Sequence, residues 1–323
     1  MTNIHWNKQV KLIISDVDET IADLYLPAEP PMISELISLL HEGKAIFFVT
    51  GQGVKSISWR IVDHIPKPLR RRILIGHCSG AEVWGFDHKG DLLDQPYYSV
   101  YKEVVSESQK KKWRELVQKI IAEFKLKVYP TMPVFQFTQK TKGDPLAIML
   151  EDRGPQITLE VVNGYDLTVE DITKLAVSIP ETKGSYDLRI PILERADELF
   201  KEANLPITPR MAGVFAVDFA IKGVSKTTAI KLALENEQVL SRLGLSQQDV
   251  ETPQFLEVWG DKFSIIRGGT DRHMSEALPR KVRSIDFREE NPAELLQGYN
   301  TIVWDGKKHL HHGLLEYLQS RYK

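Results

Sequence analysis

Lys11–Thr20 reads KLIISDVDET. Leu12, Ile13 and Ile14 form a short apolar run that fits a buried strand. At Ser15 the run gives way to Asp16, Val17, Asp18, Glu19 and Thr20. Two carboxylates one residue apart at the end of a buried strand repel each other, and burial disfavours both charges. A bound divalent cation removes that difficulty. In open α/β sheets, ligands gather outside the carboxyl ends of the strands. The turn therefore raises one question for the remaining residues, whether they complete a Mg²⁺ site that acts on a phosphate.

Beyond this turn, Ile33, Leu36, Ile37 and Leu40 recur at helical spacing, with Gly43 placed to end the helix. Ala45–Val49 reads as a second buried strand and is followed by Thr50, Gly51 and Gln52; Ile73–Ile75 suits a third. Strands alternating with helices argue for a parallel sheet with right-handed crossovers. The pattern then changes. Val83–Phe86 and Leu92–Leu93 flank the polar stretch 87–91 and read as a hairpin. A long helix carries Trp113, Leu116, Val117, Ile120, Ile121 and Phe124 on one face. Val134–Thr138, Ala147–Leu150 and Ile157–Val162 are strand candidates, with a helix over Ile192–Phe200. Phe215, Val217, Phe219 and Ile221 alternate with Ala216, Asp218 and Ala220 as in a half-buried strand. This middle region reads as an α+β unit over 87–221, inserted into a parallel-sheet domain made of 1–86 and 222–323. The parallel pattern returns at Gly223–Thr227, which opens a helix. Phe255–Trp259, Val282–Phe287 and Thr301–Trp304 follow as strands, and Leu314, Leu315 and Leu318 suit a closing helix.

A chain of 323 residues suits two domains. Its formal net charge of -2 offers no global basic field for nucleic acid or a membrane surface. Cys78 is the single cysteine, which rules out an intramolecular disulfide framework and fits a reducing compartment. The first residues lack a signal peptide's apolar core, and no stretch reaches the ~20 apolar residues of a membrane helix. The expectation is a cytoplasmic protein whose oligomeric state the sequence does not give. Cys78 reads as a small buried residue, Lys110–Lys112 as a solvated helix face, and His309, His311 and His312 as surface histidines without a zinc pattern.

Asp16, Asp18, Thr50, Lys226, Asp261 and Asp271 lie at or just beyond element ends. A parallel sheet would bring the strand ends among them to one edge. Phosphoryl transfer needs such a set: a nucleophile, a proton donor, a metal and donors for the equatorial oxygens. The motifs DVDET (Asp16–Thr20), VTG (Val49–Gly51), GVSK (Gly223–Lys226) and WGDK (Trp259–Lys262) stand in order. In this the chain resembles the haloacid dehalogenase superfamily of aspartate-dependent phosphatases, in its Cof-like, phosphomannomutase-like and sucrose-phosphatase-like branch. The resemblance implies a Rossmann-like α/β core with an inserted type-two (C2) cap of α+β structure.

It further implies that Asp16 attacks phosphorus while Asp18 acts as acid and then base. Thr50, the Gly51 backbone N–H and Lys226 would hold the phosphoryl oxygens. Asp16, the Asp18 main-chain carbonyl and Asp261 would bind Mg²⁺. The run GGTD (Gly268–Asp271) resembles the GGND run of phosphomannomutases, which makes Asp271 a further metal partner. Glu151–Leu159 resembles those enzymes' cap strand, which makes Arg153 a substrate contact. Two departures stand out: Glu19 occupies a position that is often glycine, and Gln52 one where the Cof-like branch commonly has arginine. The expected function is a Mg²⁺-dependent phosphatase acting on a small phosphorylated metabolite, a sugar or polyol phosphate. A sugar phosphomutase and a non-catalytic phosphate sensor are the alternatives.

Overall fold

β1 (Leu12–Ser15) is buried along its whole length. In the computed structural model it lies between β2 (Ala45–Val49) and a later strand, Leu256–Gly260, both parallel to it. The structure describes residues 4–173, 175, 179, 181–182, 185–265, 269–288 and 295–322. It contains two units, Met1–Ser99 together with Val224–Lys323, and Val100–Gly223.

The first unit begins with β1, β2, β3 (Ile73–His77), β4 (Glu82–Trp84) and β5 (Tyr98–Ser99). β3 runs parallel to β2, whereas β4 and β5 add antiparallel strands at that edge. The hairpin expected between 83 and 93 is present: Phe86 bridges Leu92, and the Asp87 N–H donates to Asp91 O (2.9 Å). Because β5 pairs with β4, residues 87–99 belong to this unit rather than to the inserted one.

The second unit holds β6 (Lys127–Tyr129), β7 (Ala147–Asp152), β8 (Gln156–Glu160), β9 (Glu181–Thr182), β10 (Ser185–Tyr186), β11 (Ile207–Ala212) and β12 (Ala216–Ile221). Five of them form a sheet in the order β11-β12-β8-β7-β6. Helices Glu107–Glu123 and Arg189–Glu202 pack on each other, and the latter also packs on β11 and β12. Trp113 and Ile120 are fully buried in the long helix, as its stripe suggests. Two elements differ from the sequence-based expectation. Val134–Thr138 is not a strand but the start of a helix, Val134–Thr141. Phe137 and Thr141, four residues apart, are its buried pair, which is the helical and not the strand period. β12 is buried at all six positions rather than at alternate ones. Asp218 can sit inside because it accepts a hydrogen bond from Thr158 Oγ1 at 2.7 Å on the neighbouring strand.

The chain returns to the first unit with β13 (Leu256–Gly260), β14 (Arg283–Asp286) and β15 (Thr301–Val303). Among the described residues the large sheet reads β15-β14-β13-β1-β2-β3-β4-β5, parallel from β15 to β3. Successive side chains point to opposite faces, so the strands feed two cores. Ile13, Ile46, Phe48, Ile75, Trp259 and Ile285 pack with residues of helices Pro30–His41 and Leu310–Gln319. Leu12, Ile14, Phe47, Val49, Leu74 and Val258 pack with residues of helices Lys226–Leu234, Glu237–Leu243 and Arg272–Glu276. A sheet buried on both faces explains why its strands read as unbroken apolar runs. No helix among the described residues is long and apolar enough to cross a membrane.

Candidate active site

Parallel register fixes which polar groups meet. Ser15 stands opposite Phe48 of β2 and Trp259 of β13, so the residues that follow leave the sheet at one edge. The Asp16 N–H donates to Trp259 O (3.0 Å) and the Thr50 N–H to Gly76 O (2.9 Å), which prolongs the strand geometry into the turns. Asp16, Thr50 and Asp261 therefore come from three neighbouring strands.

Lys226 enters from elsewhere, as the first residue of helix Lys226–Leu234, whose N-terminus is capped by Ser225. The helix dipole disfavours a cation there. Its position is fixed by close packing under the turn after β3. Gly80 has φ +95°, and a Cβ on it would lie 2.8 Å from Ser225 O and 2.6 Å from Ala229 Cβ. Only glycine permits both the conformation and the approach.

The Lys226 ammonium is bound by two carboxylates, Asp16 Oδ1 at 2.7 Å and Asp271 Oδ1 at 2.8 Å. Asp271 also uses Oδ2, which accepts the backbone N–H groups of Asp261 (3.0 Å) and Lys262 (2.9 Å). Thr20 Oγ1 donates to Asp261 Oδ1 at 3.1 Å. Asp16, Asp261 and Asp271 each present a carboxylate oxygen within 4.8 Å of the other two. The two backbone N–H groups thus hold Asp271 beside Asp261 in the site. Gly268, in the GGTD run, lies outside the described residues.

The electrostatics follow from three buried acids sharing few cations. Burial pushes the Asp16 carboxyl up to about 7 against the pull of Lys226, and Asp271 and Asp18 add to the rise. Burial, then the Asp271 charge, holds Asp261 well above the usual carboxylate range. For Asp271, burial is outweighed by the charge and hydrogen bond of Lys226, so its carboxyl lies below that range. Burial would discharge Lys226, but Asp16 and Asp271 hold it firmly protonated. The cluster is short of positive charge. Its donors are hard carboxylate oxygens, the set that Mg²⁺ takes, so these residues fit such an ion.

Gly260, just before Asp261, lets the acids approach. A Cβ there would lie 2.6 Å from Asp271 Oδ2 and 2.8 Å from Phe263 Cε2. Gly260→Ala should displace Asp271 and lower unfolding stability by about 1–3 kcal/mol, as overpacked buried sites do. Urea unfolding checks this; unchanged stability would show that the loop yields without strain.

Thr50 is buried, and its Oγ1 accepts the Gln52 N–H at 3.1 Å. The turn after β3 holds this loop: the Ser79 N–H donates to Thr50 O (2.8 Å) and the Cys78 N–H to Gln52 O (3.1 Å). Cys78 is buried, as expected. The Asp18 side chain is engaged by a partner the sequence reading missed. Arg60 Nη1 donates to Asp18 Oδ1 at 2.7 Å. The same guanidinium, fully buried, donates to Leu26 O and Asp23 O at 2.8 Å each, and so fastens the segment beyond the DVDET turn. In the sequence, Arg60 is one basic residue at the end of a short helix, and only its tertiary contacts mark it. In the second unit, the Arg153 side chain is covered and paired to Glu151, two residues earlier in β7, through Nε at 2.8 Å and Nη2 at 2.7 Å.

No protein-family model matches the chain, and no curated protein does. Solved structures do. A haloacid dehalogenase-like hydrolase from Bacteroides thetaiotaomicron is 13% identical over 97% of this chain and 100% of its own, with a TM-score of 0.57. The C-terminal domain of a C. albicans trehalose-6-phosphate phosphatase is 13% identical over 98% of this chain and 94% of its own, with a TM-score of 0.56. The doubly wound sheet, the inserted unit and these likenesses agree: the chain has the fold of the haloacid dehalogenase-like hydrolases.

Proposed function

We propose that the chain is a Mg²⁺-dependent phosphomonoesterase that acts through an aspartyl-phosphate on a small phosphorylated metabolite. The observation that carries this reading is the Lys226 ammonium between Asp16 and Asp271, with Asp261 in the same cluster. In the reaction, an Asp16 oxygen forms a bond to phosphorus as the bond to the leaving oxygen breaks. Asp18 gives that oxygen its proton. Asp18 then takes a proton from water, the water oxygen bonds to phosphorus, and the bond to Asp16 breaks to release phosphate. Lys226, Thr50 and the Gly51 N–H supply donors for the phosphoryl oxygens, where charge builds up. Asp16, Asp261, Asp271 and the Asp18 carbonyl would hold Mg²⁺, which offsets charge on the phosphoryl group.

A sugar or polyol phosphate is the substrate class this reading favours, since one protein of the same fold is a trehalose-6-phosphate phosphatase. We assign substrate selection to the inserted unit, with Arg153 as its contact. The formal charge of -2 fits a small anionic partner rather than nucleic acid or a membrane, and the single cysteine suits the cytoplasm. The test is a panel of phosphorylated metabolites with Mg²⁺ and after treatment with EDTA. Phosphate release should need the metal and return when it is added back. Full-rate hydrolysis after EDTA treatment would refute the metal assignment.

A further inference from the structure

The closing helix carries a second ligand set, away from the acidic cluster in both residues and chemistry. Glu29 stands at the entry to helix Pro30–His41; His311 and His312 lie in the first turn of helix Leu310–Gln319. The sequence offered the histidines no acidic partner, and the fold supplies one from 283 positions away. His312 Nε2 lies 3.3 Å from Glu29 Oε1, and the His311 and His312 rings lie 4.1 Å apart. All three residues present ligand atoms within 4.8 Å of one another. A tetrahedral ion with bonds of ~2.0–2.1 Å places its ligands roughly 3.3 Å apart, which is the Glu29–His312 separation.

A further observation points to a ligand. His311 Nδ1 is shut off from solvent and has no hydrogen-bond partner among the described residues, an arrangement buried polar atoms avoid unless something satisfies the ring. We propose that Glu29, His311 and His312 form a binding site for a zinc-type divalent transition-metal ion, with one position left for water. Two imidazoles and a carboxylate suit Zn²⁺ or Co²⁺ rather than Mg²⁺. Such an ion ties the segment before Pro30 to the closing helix, two elements far apart in sequence, and so stabilises the folded unit.

The experiment uses the full chain, stripped of metal and then saturated with Mg²⁺ to occupy the acidic cluster. Co²⁺ titration should give the intense visible absorption of a tetrahedral ion, which the six-coordinate oxygen site suited to Mg²⁺ does not give. Zn²⁺ should raise the melting temperature. His312→Ala and Glu29→Gln alter exposed side chains and should leave folding intact. Each should lose both the Co²⁺ band and the Zn²⁺-dependent rise. A wild type without the band, or variants that keep it, overturns the site, whatever the chain's activity toward phosphate esters.

Discussion

Asp16→Asn should reduce phosphate release by ~10³-fold or more while the protein stays folded, because the amide cannot act as the nucleophile. The same substitution should alter how stability depends on pH in metal-free protein. Burial raises the Asp16 carboxyl from 3.8 to about 7. The folded state thus holds this proton more tightly than the unfolded state does. Its stabilising contribution is complete below about pH 4, declines as pH rises and is gone above about pH 7. Asp261 is displaced in the same direction, so the variant should lose part of the decline rather than all of it. Urea unfolding in EDTA at pH 5 and pH 8 measures the difference. A variant with wild-type turnover removes the covalent route; an unchanged pH slope removes Asp16 as a titrating group. Mg²⁺ should stabilise the wild type more at pH 8, where the carboxylates are charged, than at pH 5.

Much of this site was legible because its residues sit where elements end. Asp16, Thr50 and Asp261 follow apolar runs, and parallel pairing has to bring such ends together. Lys226 was legible through its place at a helix start, where a cation needs an anionic partner. Asp271 was readable only as the far end of a loop; what places it is the pair of backbone N–H groups bound to its Oδ2, and no spacing rule reports that. Arg60 was invisible because its three partners, Asp18, Asp23 and Leu26, become neighbours only in the folded chain. Glu29 was missed for the same reason: its histidines lie at the other end of the sequence. In the inserted unit, Val134–Thr138 misled because five residues alternate as easily as they turn. Residues 87–99 were placed in the wrong unit because short antiparallel strands at a sheet edge carry no signal of which sheet they join.

Lys226→Met should be the most damaging single change to the site's architecture. The methionine fills comparable space but removes the charge between Asp16 and Asp271, which lie 2.7 and 2.8 Å from the ammonium. Two buried carboxylates then face each other with their shared partner gone. Breaking a buried ion pair from one side typically costs ~3–5 kcal/mol, most of it from the charges left behind. The protein can reduce that cost by keeping a proton on one of the acids, so the loss should be largest above pH 7, where Asp16 gives up its proton in the wild type. Mg²⁺ should restore part of the stability, since it neutralises the same oxygens. It should not restore turnover, because a donor for the phosphoryl oxygens is missing. Lys226→Arg keeps the charge but replaces a compact ammonium with a planar fork. It should recover more stability than activity. Urea unfolding and phosphate release, each with Mg²⁺ and with EDTA, separate the two effects. If Lys226→Met unfolds at the wild-type midpoint in EDTA at pH 8, Asp16 and Asp271 are not both charged in the folded protein, and the case for a cation-demanding cluster fails with them.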